Sequence, residues 1–224
     1  PDGTGNTIIA SGFVGIGTTS PPDHLSVVTS GSNAQLSVDR SDGASGRTVL
    51  IHSSTGGQLQ TTGSVPLIFG TADIERMRID ASGRVTKPNQ PAFAATSSSD
   101  ITVSSDAIIA FDQTSINVGN HFDTSTNRFT APVAGTYIFL CTISMRNVAS
   151  TGTYLAIYYK KNNSGTSFRM RFRADNIGNE WDGTSGHAIL TLAANDYITL
   201  HGYNESGQFV AQGGETNFTG YLLQ

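Results

Sequence analysis

The stretch Phe129 to Phe139, FTAPVAGTYIF, runs straight into LCTISM and decides how the rest of the chain is read. Pro132 and Gly135 bracket a tight turn. Beyond it Tyr137, Phe139, Cys141, Ile143 and Met145 occupy every second position, the period of a strand with one face in a core. The intervening Ile138 and Leu140 are apolar as well. A strand that is apolar on both faces is covered on both faces, so this run predicts one cover from a partner sheet and a second from a neighbouring subunit. TYLAIYYKK, in which Leu155, Ile157 and Tyr159 alternate with Tyr154, Ala156 and Tyr158, makes the same demand.

Outward from this run, similar segments punctuated by Gly, Asn, Asp and Ser predict strands near Ala92 to Thr96, Ala107 to Phe111, Arg128 to Thr130, Thr136 to Met145, Thr153 to Lys160, Phe168 to Arg173, His187 to Leu192, Tyr197 to Tyr203 and Asn217 to Leu223. No segment holds a helical period over three turns. The fold class is therefore all-β, a sandwich or barrel.

Composition divides the chain. From Pro1 to about Thr86 aromatic residues are few, and short apolar pieces (FVGIG, HLSVV, AQLSV, RTVLIH, VPLIF, RMRID) are separated by Gly, Ser, Pro and Asp. None buries a core alone, and a chain of this kind gains one by stacking with copies of itself. Residues 1–86 are read as a β-rich shaft, 87–90 with Pro88 as a linker, and 91–224 as a head. Charged residues make up 13% of the 224, about half of the roughly 25% usual for soluble domains, so the polar surface rests on Ser, Thr, Asn and Gln. A net charge of −4 excludes wrapping nucleic acid, which needs clustered Lys and Arg. The apolar run around Cys141 is shorter than the roughly 20 residues of a membrane span, and a lone cysteine leaves no intrachain disulfide. Pro1 is not an initiator Met and no basic-then-apolar leader follows it, which predicts a fragment or a processed product.

Six positions at fixed spacing, Phe129, Thr130, Pro132, Gly135, Tyr137 and Phe139, resemble the central signature of the complement C1q and tumour necrosis factor superfamily. Pro91, Ala92 and Phe93 resemble its first strand. Asn117, Phe122 and Asp123, then Gly186, Ala188 to Leu192 and Asp196, and the closing Phe218, Gly220, Tyr221 and Leu222 match later marks, with Asn195-Asp196 where Gly-Asp is usual. The resemblance implies a jelly-roll β-sandwich head that assembles as a homotrimer, with Tyr137, Phe139, Leu155, Ile157, Tyr159, Tyr221 and Leu222 in core or trimer interface. VGIGTTSP (Val14 to Pro21) and ERMRIDASGRV (Glu75 to Val85) resemble the opening and close of a module common in phage tail fibres. That implies a trimeric shaft on the exterior of a virion, contacting other virion proteins through its N-terminal side.

In an antiparallel jelly roll successive connections alternate between the two ends. Counting back from the C-terminus, segments around 204–216, 174–186, 146–152 and 112–127 fall at the end far from the shaft, while 131–135, 161–167 and 193–196 fall near it. Long loops on a rigid sandwich tend to carry recognition. The first distal candidates are Asp175, Asn176, Asn179, Glu180, Trp181 and Asp182, an aromatic among amide and carboxylate side chains that suits stacking on a sugar while hydrogen-bonding its hydroxyls; Asn204, Phe209 and Gln212 join them. The same oxygen-rich segment suits Ca²⁺; no other cofactor is expected. Arg169, Arg171 and Arg173 alternate with Phe168, Met170 and Phe172, a row that suits an anionic glycan, a subunit ion pair or plain solvation. Glu180, Asp182, Glu205 and Glu215 are the acids from which a glycan-cleaving pair would have to come. No GxSxG, HExxH, P-loop or paired CxxC occurs, and His24, His52, His121, His187 and His201 lack metal-ligand spacing.

The resulting expectation is a non-enzymatic, trimeric viral fibre whose head binds a host-surface receptor, a glycan before a protein. The alternative is a structural trimerisation and folding cap, or a virion decoration, without receptor binding. A secreted adhesion or lectin protein of the same superfamily is a third reading, against which the fibre module counts.

Overall fold

The computed structural model describes residues 14–16, 25–27, 34–38, 46–147, 151–175, 180–205 and 207–224. It divides into two compact units, Pro1–Pro88 and Asn89–Gln224.

In the first unit β1 (Val14–Ile16) pairs in parallel with β2 (Leu25–Val27). Strands β3 (Ala34–Val38), β4 (Thr48–Ser53) and β5 (Gly56–Thr61) form an antiparallel meander, and β6 (Leu67–Thr71), β7 (Ile74–Ile79) and β8 (Val85–Thr86) form a second. The ERMRIDASGRV block is the β7–β8 hairpin. Its turn is built by Asp80, whose Oδ1 accepts the Ser82 and Arg84 amides at 2.8 and 3.0 Å while Oδ2 pairs with Arg84 Nε at 2.7 Å. The motif therefore does structural duty. Burial is sparse here: Val49 and Ile51 on one face of β4 are the buried apolar side chains among the described residues.

The second unit is a sandwich. Its strands are β9 (Ala92–Thr96), β10 (Ile101–Ser104), β11 (Ala107–Ile108), β12 (Gln113–Val118), β13 (Phe122–Asp123), β14 (Arg128–Thr130), β15 (Gly135–Arg146), β16 (Thr151–Lys161), β17 (Ser164–Asp175), β18 (Asp182–Leu192), β19 (Tyr197–Asn204), β20 (Gln208–Ala211) and β21 (Asn217–Leu222). One sheet runs β10-β20-β15-β21-β9-β12 with β18 on the other edge of β15; the second runs β13-β14-β19-β16-β17 with β11 on β19. Every described pairing in the unit is antiparallel.

Between the sheets lies an aromatic core. Phe93 stacks on Phe122 and Phe129 with ring centroids 4.8 and 5.0 Å apart, and meets Phe218 edge-on at 4.9 Å. Phe111, Tyr137, Phe139 and Tyr159 complete it. The FTAPVAGTYIF motif contributes Phe129, Tyr137 and Phe139, and the Tyr137 hydroxyl donates to the Val133 carbonyl of the motif's own turn at 2.8 Å, so no polar group is stranded. Gly135 has a packing reason as well: a Cβ there would stand 2.7 Å from the Gln224 carbonyl oxygen and 2.7 Å from Leu222 Cδ1. The chain's end hydrogen-bonds alongside, with the Thr136 amide donating to Gln224 O and the Leu223 amide to Thr136 O, both at 2.8 Å. Cys141 is buried, and burial pushes its thiol up to about 11.

The end at which the chain enters, beside Tyr221↔Ala92, also carries the turns at 131–134, 162–163 and 193–196. The Asn195 backbone is left-handed there, φ 70°. Asp196 knits two of these turns: its carboxylate accepts the Ala193 amide at 2.7 Å and Asn162 Nδ2 at 2.6 Å, and pairs with Lys161 Nζ at 2.6 Å. The opposite end collects the segments after β15, β17 and β19 and the segment 212–216.

One expectation needs correction. Residues 112–127 do not form a single loop at the far end: Gln113 lies opposite Thr96 at that end, but Val118 lies opposite Ala92, so the reversal at 119–121 is at the entry end. The sequence QTSINV hides this strand because its one large apolar side chain with a clear orientation, Ile116, faces outward and is exposed. Similarly, β17 runs on to Asp175 and β18 begins at Asp182, both further than their apolar runs, and 204–216 contains β20.

Two outcomes are expected. Phe218→Ala, which empties the centre of the core, lowers the unfolding free energy in urea by about 3–5 kcal/mol. The Asp196 carboxyl, held down first by Lys161, then Asn162 and the Ala193 amide, titrates at about 2 against 3.8 when unperturbed. Its contribution is present above the unperturbed value and is lost as pH falls towards 2. Asp196→Asn should flatten the acid limb of stability between those values, measured by thermal unfolding at stepped pH, and NMR titration of the carboxyl reads the value directly.

Candidate functional site

Two surfaces of the sandwich stand out, one apolar and one polar. On the outward face of the first sheet, Ile138 lies directly between Ile189 and Tyr221, with Ala92 and Val118 continuing the row. Leu140, Ala94 and Ile116 lie in the next row. Ile189 is 59% exposed, Ile116 51% and Tyr221 44%. Aligned on adjacent strands, these side chains make an apolar face, the kind of surface that marks an interaction site when it is large.

This redistributes the residues assigned to core or interface. Tyr137, Phe139, Leu155, Ile157 and Tyr159 are wholly inside one chain's core, Leu222 is partly buried against that core, and Tyr221 alone of the set is on the patch. On the outward face of β16, Ala156 and Tyr158 are already buried within the chain, while Tyr154 is 44% exposed. Asp106 contributes there: its carboxylate accepts the Tyr158 hydroxyl and pairs with Lys160 Nζ at 2.8 Å, and its carbonyl lies 3.1 Å from His201 Nδ1. Tyr158 and His201 stack at 5.7 Å. The Lys160 hydrogen bond, then that of Tyr158, holds the Asp106 carboxyl below its ordinary range, and burial pushes His201 down.

At the far end Trp181 precedes β18 and is 38% exposed. The Arg146 guanidinium, from the last residue of β15, lies 4.6 Å from its ring centroid. Arg146 Nη2 donates to Asp100 Oδ2 at 2.9 Å, and Asp100 Oδ1 accepts the Gly213 amide at 3.1 Å. Ser144 closes the set, its carbonyl accepting the Gln212 amide at 2.8 Å and its hydroxyl donating to Gln212 Oε1 at 2.9 Å. Arg146 Nε is buried without a hydrogen-bond partner among the described residues. The indole thus rests on a guanidinium that is itself fixed to 100 and 213, a cation–π arrangement worth about 0.5–1 kcal/mol at an exposed site.

Of the other predicted binding residues, Glu180 and Asp182 are exposed beside Trp181, and Asp182 Oδ1 accepts the Gly183 amide at 2.7 Å. Gln212 is in the Ser144 network. Asn204 is buried, its Nδ2 donating to the Gln208 carbonyl at 2.7 Å, and so shapes the β19–β20 turn instead of meeting a ligand. Phe209 is a correction: it sits in the core at full burial, because 208–211 pairs with β10 and β15 and turns this side chain inward. Asn176, Asn179 and the side chain of Asp175 lie outside the described residues. So do the side chains of Phe168, Arg169, Phe172 and Arg173, while Arg171 is exposed 5.1 Å from the Tyr154 ring centroid and Met170 packs against the core. Sequence reading passed over Arg146 and Asp100; the signal for Arg146 was its place on the outward period of β15.

Comparison with known proteins decides the family. The C1q domain profile matches residues 92–223. The chain belongs to the C1q domain family. Over 125 residues it is 32% identical to the human complement C1q and tumor necrosis factor-related protein 9B, covering 54% of this chain and 34% of that protein, and over 115 residues it is 35% identical to the mouse complement C1q tumor necrosis factor-related protein 3, covering 51% and 44%. The chain therefore spans less than half the length of these curated relatives. Among solved structures, the globular domain of zebrafish complement 1qA is similar over 60% of this chain and 98% of its own (TM-score 0.49, 20% identity), and Eiger TNF from S. frugiperda over 61% and 94% (TM-score 0.48, 14% identity). C1q and TNF-like domains form homotrimers, and the family's members are non-enzymatic structural or signalling proteins.

Replacing Arg146 with Ala should leave Trp181 without its platform. The expected outcome is a red-shifted, more readily quenched tryptophan emission, read from this single indole, with the thermal midpoint little changed.

Proposed function

We propose that this protein is a non-enzymatic trimeric fibre or appendage on the exterior of a virion, and that its C1q domain attaches to a host-surface glycan through the end of the sandwich opposite the chain entry. The observation that carries the reading is Trp181 laid on Arg146, with Asp100, Gln212 and Ser144 in one connected set and Glu180 and Asp182 exposed alongside. A half-exposed indole with one face braced offers the other to a sugar ring, and the surrounding amide and carboxylate groups match hydroxyls. Bracing before contact lowers the ordering cost that weakens shallow sites. Threefold repetition multiplies a modest affinity. The fibre part of the reading is supported by the tail-fibre-like blocks at Val14 to Pro21 and Glu75 to Val85, and the N-terminal side is where contacts with other virion proteins belong.

The test is binding of the full chain to an array of host-surface glycans, with and without added Ca²⁺. Wild type should retain one glycan class, and Trp181→Ala should lower affinity about tenfold, equivalent to ~1.4 kcal/mol, at unchanged assembly. Equal retention by Trp181→Ala moves the contact elsewhere. Absence of any glycan bound by the intact trimer favours the second reading, a trimerisation cap or virion decoration, for which the Ile189–Ile138–Tyr221 row is the supporting observation.

A further inference from the structure

In the first unit three leucines stand in one register row. Leu36 on β3 lies opposite Leu50 on β4, which lies opposite Leu59 on β5. They are 49%, 55% and 49% exposed. The row is the middle of one sheet face, flanked by Val38, Thr48 and Thr61 on one side and Ala34, His52 and Gly57 on the other. The opposite face is already used, since Val49 and Ile51 on β4 are buried. We propose that this leucine row is a self-association surface, covered in the assembled protein by the same row of two further copies of the chain.

Three observations select a copy of this chain as the occupant. First, β3, β4 and β5 contain no Asp, Glu, Lys or Arg. Like charges brought face to face in an interface repel, and without them identical faces meet with no such penalty. Second, among the described residues of the unit Val49 and Ile51 are the buried apolar side chains, while Ile68, Ile74 and Val85 on the other meander are exposed as well, so further burial adds to its stability. Third, the C1q domain at Asn89–Gln224 belongs to a trimer-forming family. Three tethered copies of the first unit are thereby held at high local concentration, and the single Leu36–Leu50–Leu59 row is the same patch on each copy, as a closed cyclic arrangement requires. None of this rests on the glycan reading.

The experiment uses the full chain with Leu50→Cys, and with Gln60→Cys on the opposite face of the same meander as its control, each treated with a short flexible bismaleimide. The native Cys141 is buried in the core and its thiol is pushed up to about 11, so it does not compete. Leu50→Cys should give covalent dimer as the main product on a denaturing gel, several-fold above Gln60→Cys. Dimer formation no greater than the control, in a chain whose mass in solution is trimeric, overturns the proposal while leaving the C1q assembly intact. A monomeric mass overturns both. As a second measurement, Leu50→Asp should speed proteolysis within residues 46–86 at least tenfold with the trimer mass unchanged; unchanged proteolysis contradicts the inference.

Discussion

Everything in the C-terminal unit depends on one strand having two apolar faces. Strand β15 sends Tyr137, Phe139, Cys141, Ile143 and Met145 into the sandwich, where they meet Phe129, Phe218 and Tyr159, and presents Ile138 and Leu140 outward. The inward set is satisfied within the chain. The outward set is less so: Ile138, of intermediate burial, is aligned with the exposed Ile189 and Tyr221 across the sheet, and Leu140 in the next row is 39% exposed. The fold follows from the inward half of that alternation, and the outward half supplies the apolar face that the proposed assembly would cover.

The same strand also separates the two ends. At its start, Gly135 admits the C-terminal carbonyl of Gln224, and Asp196 ties the neighbouring turns together, so the entry end is closed by backbone and charge-assisted contacts. At its finish, Arg146 reaches out to Asp100 and Trp181. Polar groups at one end fasten the framework, while those at the other fasten an indole that stays open to solvent. The proposed recognition at the second end rests on that asymmetry.

Legibility in the sequence followed the physics of each element. Strands with a buried face were readable from the two-residue period, as at Ala92 to Thr96, Arg128 to Thr130 and Tyr197 onward, where predicted and observed ends agree within a residue. Strands whose side chains face outward or are mostly polar were not: QTSINV, a strand inside the segment expected as a loop, and GGQLQT carry almost no apolar alternation. Phe209 was misassigned because a short strand inside a polar segment is invisible to composition. The exchange of Asp106 with Tyr158 and Lys160 joins residues more than fifty positions apart, which no local pattern announces. Arg146 beneath Trp181 escaped notice for the same reason, although the tryptophan itself was identified.

The two units solve the burial problem differently. The C1q unit makes a core from aromatic rings and leaves one apolar row on its outer sheet face, whereas the described residues of the first unit bury Val49 and Ile51 and expose apolar side chains on both meanders. Both arrangements lead to the same claim, that this chain is completed by copies of itself. The most direct measurement is the mass of the intact chain in solution by light scattering at micromolar concentration. A single species at three times the chain's 23.6 kDa is the predicted result; a stable particle of 23.6 kDa, with Ile138, Ile189 and Tyr221 left in water, would contradict it.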